Sequence, residues 1–241
     1  MSYKQMLSIS ADAKTIKGQS VGYLTGILYL APADLAGFRT VCPFAVKAGC
    51  YEACLNSAGR GAFNSVQTAR LNKTIMFFKD KELFFYNTVM SVKRLIKRAT
   101  RLELIPVVRL NGTSDTEWEN ESFTFDGIFY DNIMAMFPDV QFYDYTKIPT
   151  RKNIPANYDL TFSYSGLKGF QTAYTKAKQN PVFKRFAVVF DKAANIPPSF
   201  DGMRTIDGDK TDLRFLDGSG IVALYAKGKA KKDTSGFVVN A

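Results

Sequence analysis

Strand-length apolar runs alternate with helix-length amphipathic segments along most of the chain, and this alternation narrows the fold more than any other feature. The first run, YLTGILYLA at residues 23–31, is apolar on both faces and stops at Pro32. A strand buried on both sides within a parallel sheet has that pattern. Further strands are expected at residues 104–111, 140–145, 160–164, 186–190 and 221–225, and helices at about 62–79, 83–101, 127–137 and 167–179. In the second helix Phe85, Val89, Val92, Ile96 and Ala99 recur at steps of four and three, which makes one buried stripe. Asp126 is placed to cap the third helix, and Pro138 to end it.

Repeated strand–helix units predict an α/β fold with a mainly parallel sheet. The natural closures are a doubly wound sheet or a partial (βα) barrel. A partial barrel of about six strands is favoured, because polar residues follow the strand ends, where barrels build their sites. Arg109, Asn111, Ser114, Asp115 and Lys147 are the foremost of these. Pro106 argues against a central position for its own strand, since it lacks a ladder donor. The 241 residues are read as a single domain, with 1–20 an N-terminal extension and 227–241 a Lys-rich C-terminal segment. No apolar run approaches the roughly 20 residues needed to cross a bilayer, and MSYKQMLSISADAK lacks the apolar centre of a secretory signal. The expectation is a cytoplasmic protein with no membrane partner.

Two counts limit the chemistry. Histidine is absent, which removes Ser-His-Asp and Cys-His hydrolysis, His-based metal triads and His acid–base catalysis. Proton transfer must fall to carboxylates, Lys, Tyr, Cys or solvent. The formal net charge is +10, which makes a polyanionic partner such as nucleic acid or a nucleotide an expectation. Lys93, Arg94, Lys97, Arg98 and Arg101 fall opposite the apolar stripe of their helix and form a candidate phosphate-tracking face; an ordinary solvated face is the alternative. Lys227 to Lys232 form a second basic run.

The three cysteines stand in one loop directly after the first strand, Cys42, Cys50 and Cys54, spaced C-x(7)-C-x(3)-C. An odd number so close together is no disulfide framework. Three thiolates invite a metal. A closed zinc site usually takes four N or S ligands, so zinc here would need a carboxylate or a non-protein ligand. A 4Fe–4S cluster can be held by three protein thiolates, leaving one iron open for a substrate or cofactor, and this is the leading expectation. Packing of the thiols as small hydrophobic groups is the remaining alternative. Arg60, between Gly59 and Gly61, opens the following helix and is a candidate anion or cofactor contact.

YLAPA at residues 29–33, CPFA at 42–45, Gly49-Cys50, Cys54-Leu55 and Gly59-Arg60-Gly61 together resemble the N-terminal pattern of the bacteriophage gene 88 protein family. RLNGTSD at 109–115, FYDYTK at 142–147 and AKGKAKKD at 226–233 are similar to later landmarks of that family, so the resemblance covers most of the chain. It implies a phage protein at work in an infected bacterial host. A cysteine trio after the first strand of a partial barrel is also remotely similar to radical S-adenosylmethionine enzymes, and closer to phage proteins with a three-Cys motif. The spacing departs from the radical pattern C-x(3)-C-x(2)-C.

The leading expectation is an enzyme, a phage-encoded 4Fe–4S protein similar to radical S-adenosylmethionine proteins, acting on nucleic acid or a nucleotide, with S-adenosylmethionine as a further cofactor. Cys42, Cys50 and Cys54 would hold the cluster, and Arg109, Asn111, Ser114, Asp115 and Lys147 would line the substrate side. The alternative is a non-catalytic nucleic-acid-binding protein of phage replication or host takeover, in which the cysteines are structural.

Overall fold

A computed structural model of the chain describes residues 4–10, 13–54, 56 and 59–240. In chain order the elements are β1 (Leu7–Ile9), α1 (Ala13–Gln19), β2 (Tyr23–Leu28), α2 (Asn64–Lys79), α3 (Lys81–Arg101) and β3 (Ile105–Arg109). They continue with β4 (Phe123–Phe125), β5 (Ile128–Tyr130), α4 (Ile133–Met136), β6 (Gln141–Thr146), β7 (Tyr158–Ser163) and α5 (Gln171–Gln179). The chain ends with β8 (Arg185–Phe190), β9 (Ser199–Phe200), β10 (Met203–Asp207) and β11 (Gly220–Tyr225).

Nine strands form one sheet in the order β1-β2-β3-β6-β7-β8-β11-β10-β9. The seven from β2 to β10 are parallel, and the edge strands β1 and β9 are antiparallel to their neighbours. The fold class is therefore α/β with a large, mostly parallel sheet and few helices. The six expected strands are all present, and β1, β9 and β10 extend the sheet to nine. Part of the expected N-terminal extension is thus inside the fold. β1 pairs with β2 in the register Leu7↔Leu28, and the N–H of Met6 donates to Ser91 Oγ on α3 at 2.9 Å.

Pro106 lies in an interior strand after all, because the ladder leaves room for it. Ile105 N–H points at β2, donating to Gly22 O at 2.8 Å, so the Pro106 nitrogen faces β6. The β3–β6 pairing starts only at Val107↔Gln141, one residue later. No donor is missed there.

The expected helix at 127–137 is mostly replaced by a hairpin. Asp126 and Gly127 both have positive φ, 50° and 79°, which makes the two-residue turn between β4 and β5 rather than a cap. The short α4 that follows is capped by Asn132, whose Oδ1 accepts from Ala135 N at 2.9 Å.

Helices α3 and α5 pack on one face of the sheet, and the main core lies between. Phe84, Phe85, Val89, Val92, Leu95 and Ala99 of α3 are buried there, and Ala173, Tyr174 and Ala177 of α5 meet Phe162 and Phe186. Asp80 starts α3 by accepting from Leu83 N at 3.0 Å. The opposite face is thinly covered, with Val107 and Tyr143 packed under Leu213 and Phe215. Charged side chains are buried on it as well. Arg109 pairs with Asp212 at 2.6 Å, Arg185 with Asp159, and Arg214 with Asp217 at 3.0 Å. No helix among the described residues is long and apolar enough to cross a membrane.

Candidate functional site

The segment after β2 folds back over the carboxyl ends of the central strands, and backbone bonds hold it there. Gly112 N donates to Leu28 O at 2.9 Å, and Asp115 N to Val41 O at 2.7 Å. A β-carbon at Gly112 would lie 2.5 Å from Tyr29 Cδ1 and 2.7 Å from Leu28 O, so the approach of these two loops requires glycine. From the other side, Ser165 Oγ donates to Ala48 O at 2.7 Å and Ser235 Oγ to Gly49 O at 3.1 Å. Ala53 packs with Ala226, Ala230 and Phe237, so the C-terminal segment lies against the cysteine loop.

All three thiols are partly buried and reduced. The Cys42 thiol donates to Thr113 O at 3.7 Å and the Cys50 thiol to Ala45 O at 3.6 Å. Burial pushes Cys42 up to about 12, with the Asp115 carboxylate and the other two sulfurs adding to it and the Ala33 backbone partly offsetting it. Burial also raises Cys50, opposed by the Lys147 ammonium, and Cys54, opposed in part by Arg70 and Lys229. The sulfurs thus feel one another, and cations stand beside two of them.

Lys147 is buried at the end of β6. Its Nζ donates to Ser163 O and Oγ, both at 3.1 Å, and to Tyr164 O at 3.2 Å. Burial pulls its pKa down, while Cys50 and Asp115 pull it back up. Asp115 Oδ2 accepts the Lys147 backbone N–H at 2.7 Å. Cys42, Cys50, Asp115 and Lys147 therefore share one end of the sheet.

Asn111 and Ser114 are also at this end, but their side chains serve the loop itself. Asn111 Oδ1 accepts from Ser114 Oγ at 2.8 Å, Thr116 N at 2.9 Å and Trp118 Nε1 at 2.9 Å. Its Nδ2 donates to Thr116 O at 2.9 Å. With every polar atom engaged, Asn111 fixes the 111–118 turn that presents Asp115 and the Thr113 carbonyl to Cys42.

Arg109 departs from the expected group. It points to the opposite face of the sheet, bound to Asp212 and 3.8 Å from Asp144. Arg60 is exposed in a single turn before α2, and Arg70, not Arg60, is the arginine felt by Cys54. The five cations of α3 are all exposed, with Lys93 Nζ 4.4 Å from the Phe125 ring centroid. They occupy the part of α3 that returns the chain to the amino end of β3, so the basic face and the cysteine loop lie at opposite ends of the sheet. A cavity of about 670 Å³ also opens at the amino end, bordered by Tyr158, Asp159, Lys184, Arg185 and Asp217.

Three buried groups beneath the loop carry no local sequence signal. Arg151 is fully buried, giving Nε to Glu119 Oε1 at 2.5 Å and Nη2 to Oε2 at 2.6 Å, with Asp115 at 3.7 Å. Asp144 accepts from Asn111 N at 2.9 Å and from Tyr158 Oη at 2.9 Å. Burial raises Asp144 to about 6 even though Arg109 and these donors oppose it.

The donor set can be tested against the expected metals. Among the described residues, no three Cys, Asp or Glu side chains stand close enough to hold one metal ion, so a mononuclear zinc site does not fit. A 4Fe–4S cluster is held by Cys thiolates. Three thiols on one loop, with Lys147 beside Cys50 and Arg70 beside Cys54 to balance thiolate charge, fit that group in donor chemistry.

No curated protein and no solved structure matches the chain. One family model, described as Gene product 88, matches residues 5–241. That span takes in the strand β1, the cysteine loop, the Asn111–Asp115 turn, Lys147 and the C-terminal segment, so the chain belongs to the Gene product 88 family.

Proposed function

We propose that this phage protein is a three-thiolate 4Fe–4S protein whose cysteine loop is its chemical centre and whose substrate is a nucleotide or nucleic acid. The observation that carries the reading is the convergence of Cys42, Cys50, Asp115 and Lys147 at the carboxyl ends of the parallel strands, with the C-terminal segment closing the loop from outside. Cys42, Cys50 and Cys54 would hold the cluster, which when bound supplies one iron open to an external ligand such as S-adenosylmethionine.

The chain's own residues then have definite work. Lys147, fixed by three acceptors, keeps a positive charge beside Cys50 and lowers the cost of thiolate there. Asp115, tied by Lys147 N–H, is the carboxylate beside Cys42 and Cys50. Asn111 and Ser114 position that turn and touch no substrate. Arg109 belongs to the charged layer on the other face. The sheet's unreversed run from β2 to β8, with helices α3 and α5 on one face, is what favours an open, barrel-like curvature around this end. Anaerobic reconstitution with iron and sulfide tests the reading: each of Cys42→Ala, Cys50→Ala and Cys54→Ala should lose most of the visible absorbance. Full loading of all three variants would remove the cysteines from the account.

A second reading has one observation in its favour. The five exposed cations of α3 share one face far from the cysteines, which suits a phosphate backbone bound independently of any chemistry.

A further inference from the structure

A cavity of about 190 Å³ lies between the first turns of α2 and the carboxyl end of β2, and its polar lining is Ser8, Tyr29, Ser65, Arg70 and Lys73. We infer that this pocket binds a phosphate group, and through it the phosphate end of a nucleotide, beside Cys54. The nucleotide's identity as the source rests on the function proposed above; the phosphate site itself rests on its own residues.

The lining holds two cations and three hydroxyl groups, and no carboxylate. Arg70 is only 7% exposed. Its Nη1 donates to Asn56 O at 2.7 Å and to Asn56 Oδ1 at 2.6 Å, and its guanidinium lies 4.8 Å from the Tyr29 ring centroid. Its Nε is buried with no hydrogen-bond partner. Lys73 spends one of its three protons on Met6 O at 2.6 Å. These cations stand three residues apart on one helix, where like charges repel, and burial without a counter-charge is costly. The strain registers on Lys73, pulled down to about 8 by burial and then by Arg70. An anion seated between the two would relieve both.

The helix adds to the same sign. The N-cap residue of α2, Phe63, makes no side-chain cap, and its first turn contains no acid, so the positive end of a 16-residue helix is left uncompensated. Size limits the ligand. Pockets that hold a whole small molecule run to about 300–1,000 Å³, so this one would take a phosphate group and leave the sugar and base outside. The cysteine loop is next to it: Asn56, held by Arg70, is two residues beyond Cys54, and the Arg70 charge is felt by the Cys54 thiol.

Calorimetric titration of the reduced full chain with inorganic phosphate, AMP and adenosine tests the inference, with ionic strength matched by chloride. Phosphate and AMP should bind and adenosine should not. Lys73→Met and Arg70→Lys should each weaken phosphate binding about tenfold or more, the loss of a charge-assisted hydrogen bond, while Lys176→Met, exposed on α5, should leave it unchanged. Circular dichroism shows whether each variant folds; should Arg70→Lys fail, Lys73→Met decides alone. Equal phosphate affinity in wild type and Lys73→Met overturns the site. Phosphate binding with AMP excluded overturns the nucleotide assignment. Titration with and without bound iron separates failure of this site from failure of the cluster.

Discussion

Replacing Arg151 with Met removes the cation that holds two buried carboxylates under the cysteine loop. The Arg151 side chain is 0% exposed and that of Glu119 1%, and the pair is bidentate at 2.5 and 2.6 Å. Asp115 sits on the same guanidinium at 3.7 Å. Taking one partner from a buried pair costs about 3–5 kcal/mol because it leaves an uncompensated charge, a large share of the roughly 5–15 kcal/mol that holds a typical domain.

The loss should depend on pH. Burial already raises both Asp115 and Glu119 with Arg151 present, and its removal raises them further. A carboxyl whose folded pKa exceeds its unfolded value near 4 binds its proton preferentially in the folded state across that window. Stability of the variant therefore falls as pH rises from about 4 through the raised value. The gap to wild type should be small near pH 5 and full near pH 8. Trp118 is the only tryptophan, is buried, and donates to Asn111, so its fluorescence in a urea titration reports this very turn. Adding Glu119→Leu to Arg151→Met should recover part of the loss. A gap below about 1 kcal/mol at pH 8, or one unchanged between pH 5 and pH 8, would refute the reasoning.

Two further outcomes are expected. Gly112→Ala should destabilise the fold by about 1–3 kcal/mol, because the contact atoms include the Leu28 carbonyl, which cannot yield as a side chain does; a thermal midpoint equal to wild type would contradict this. Lys93→Glu, Lys97→Glu and Arg101→Glu together should lower DNA and RNA affinity alike and reduce its salt slope, leaving the helix folded because its buried stripe is untouched; identical affinity and slope would show a merely solvated face.

The central strands and the α3 stripe were legible because each writes a period: β2 is apolar on both faces, and Phe85, Val89, Val92 and Ala99 are all buried. The sheet's edges were not, since β1 has three residues and β9 two, too few to show alternation. Asp126 reads equally well as a cap or as the first residue of an Asp-Gly turn, and the positive φ that decides between them is set by pairing of Phe123 with Tyr130. The cysteine loop lies beside Asp115 and Lys147 at the carboxyl ends of the strands, where the rule that polar groups gather at strand ends puts them. The same rule misled at Arg109, because alternation along β3 turns its side chain to the other face. Arg151 with Glu119, and Arg70 with Asn56, are pairs made across 32 and 14 residues. Nothing in the local sequence marks them.

The most direct test is elemental: iron, zinc and acid-labile sulfide per chain in protein expressed with iron supplied and purified without oxygen. About four irons and about four sulfides per chain are expected, with a brown chromophore that dithionite bleaches. Stoichiometric zinc without iron, or no metal at all, would contradict this expectation.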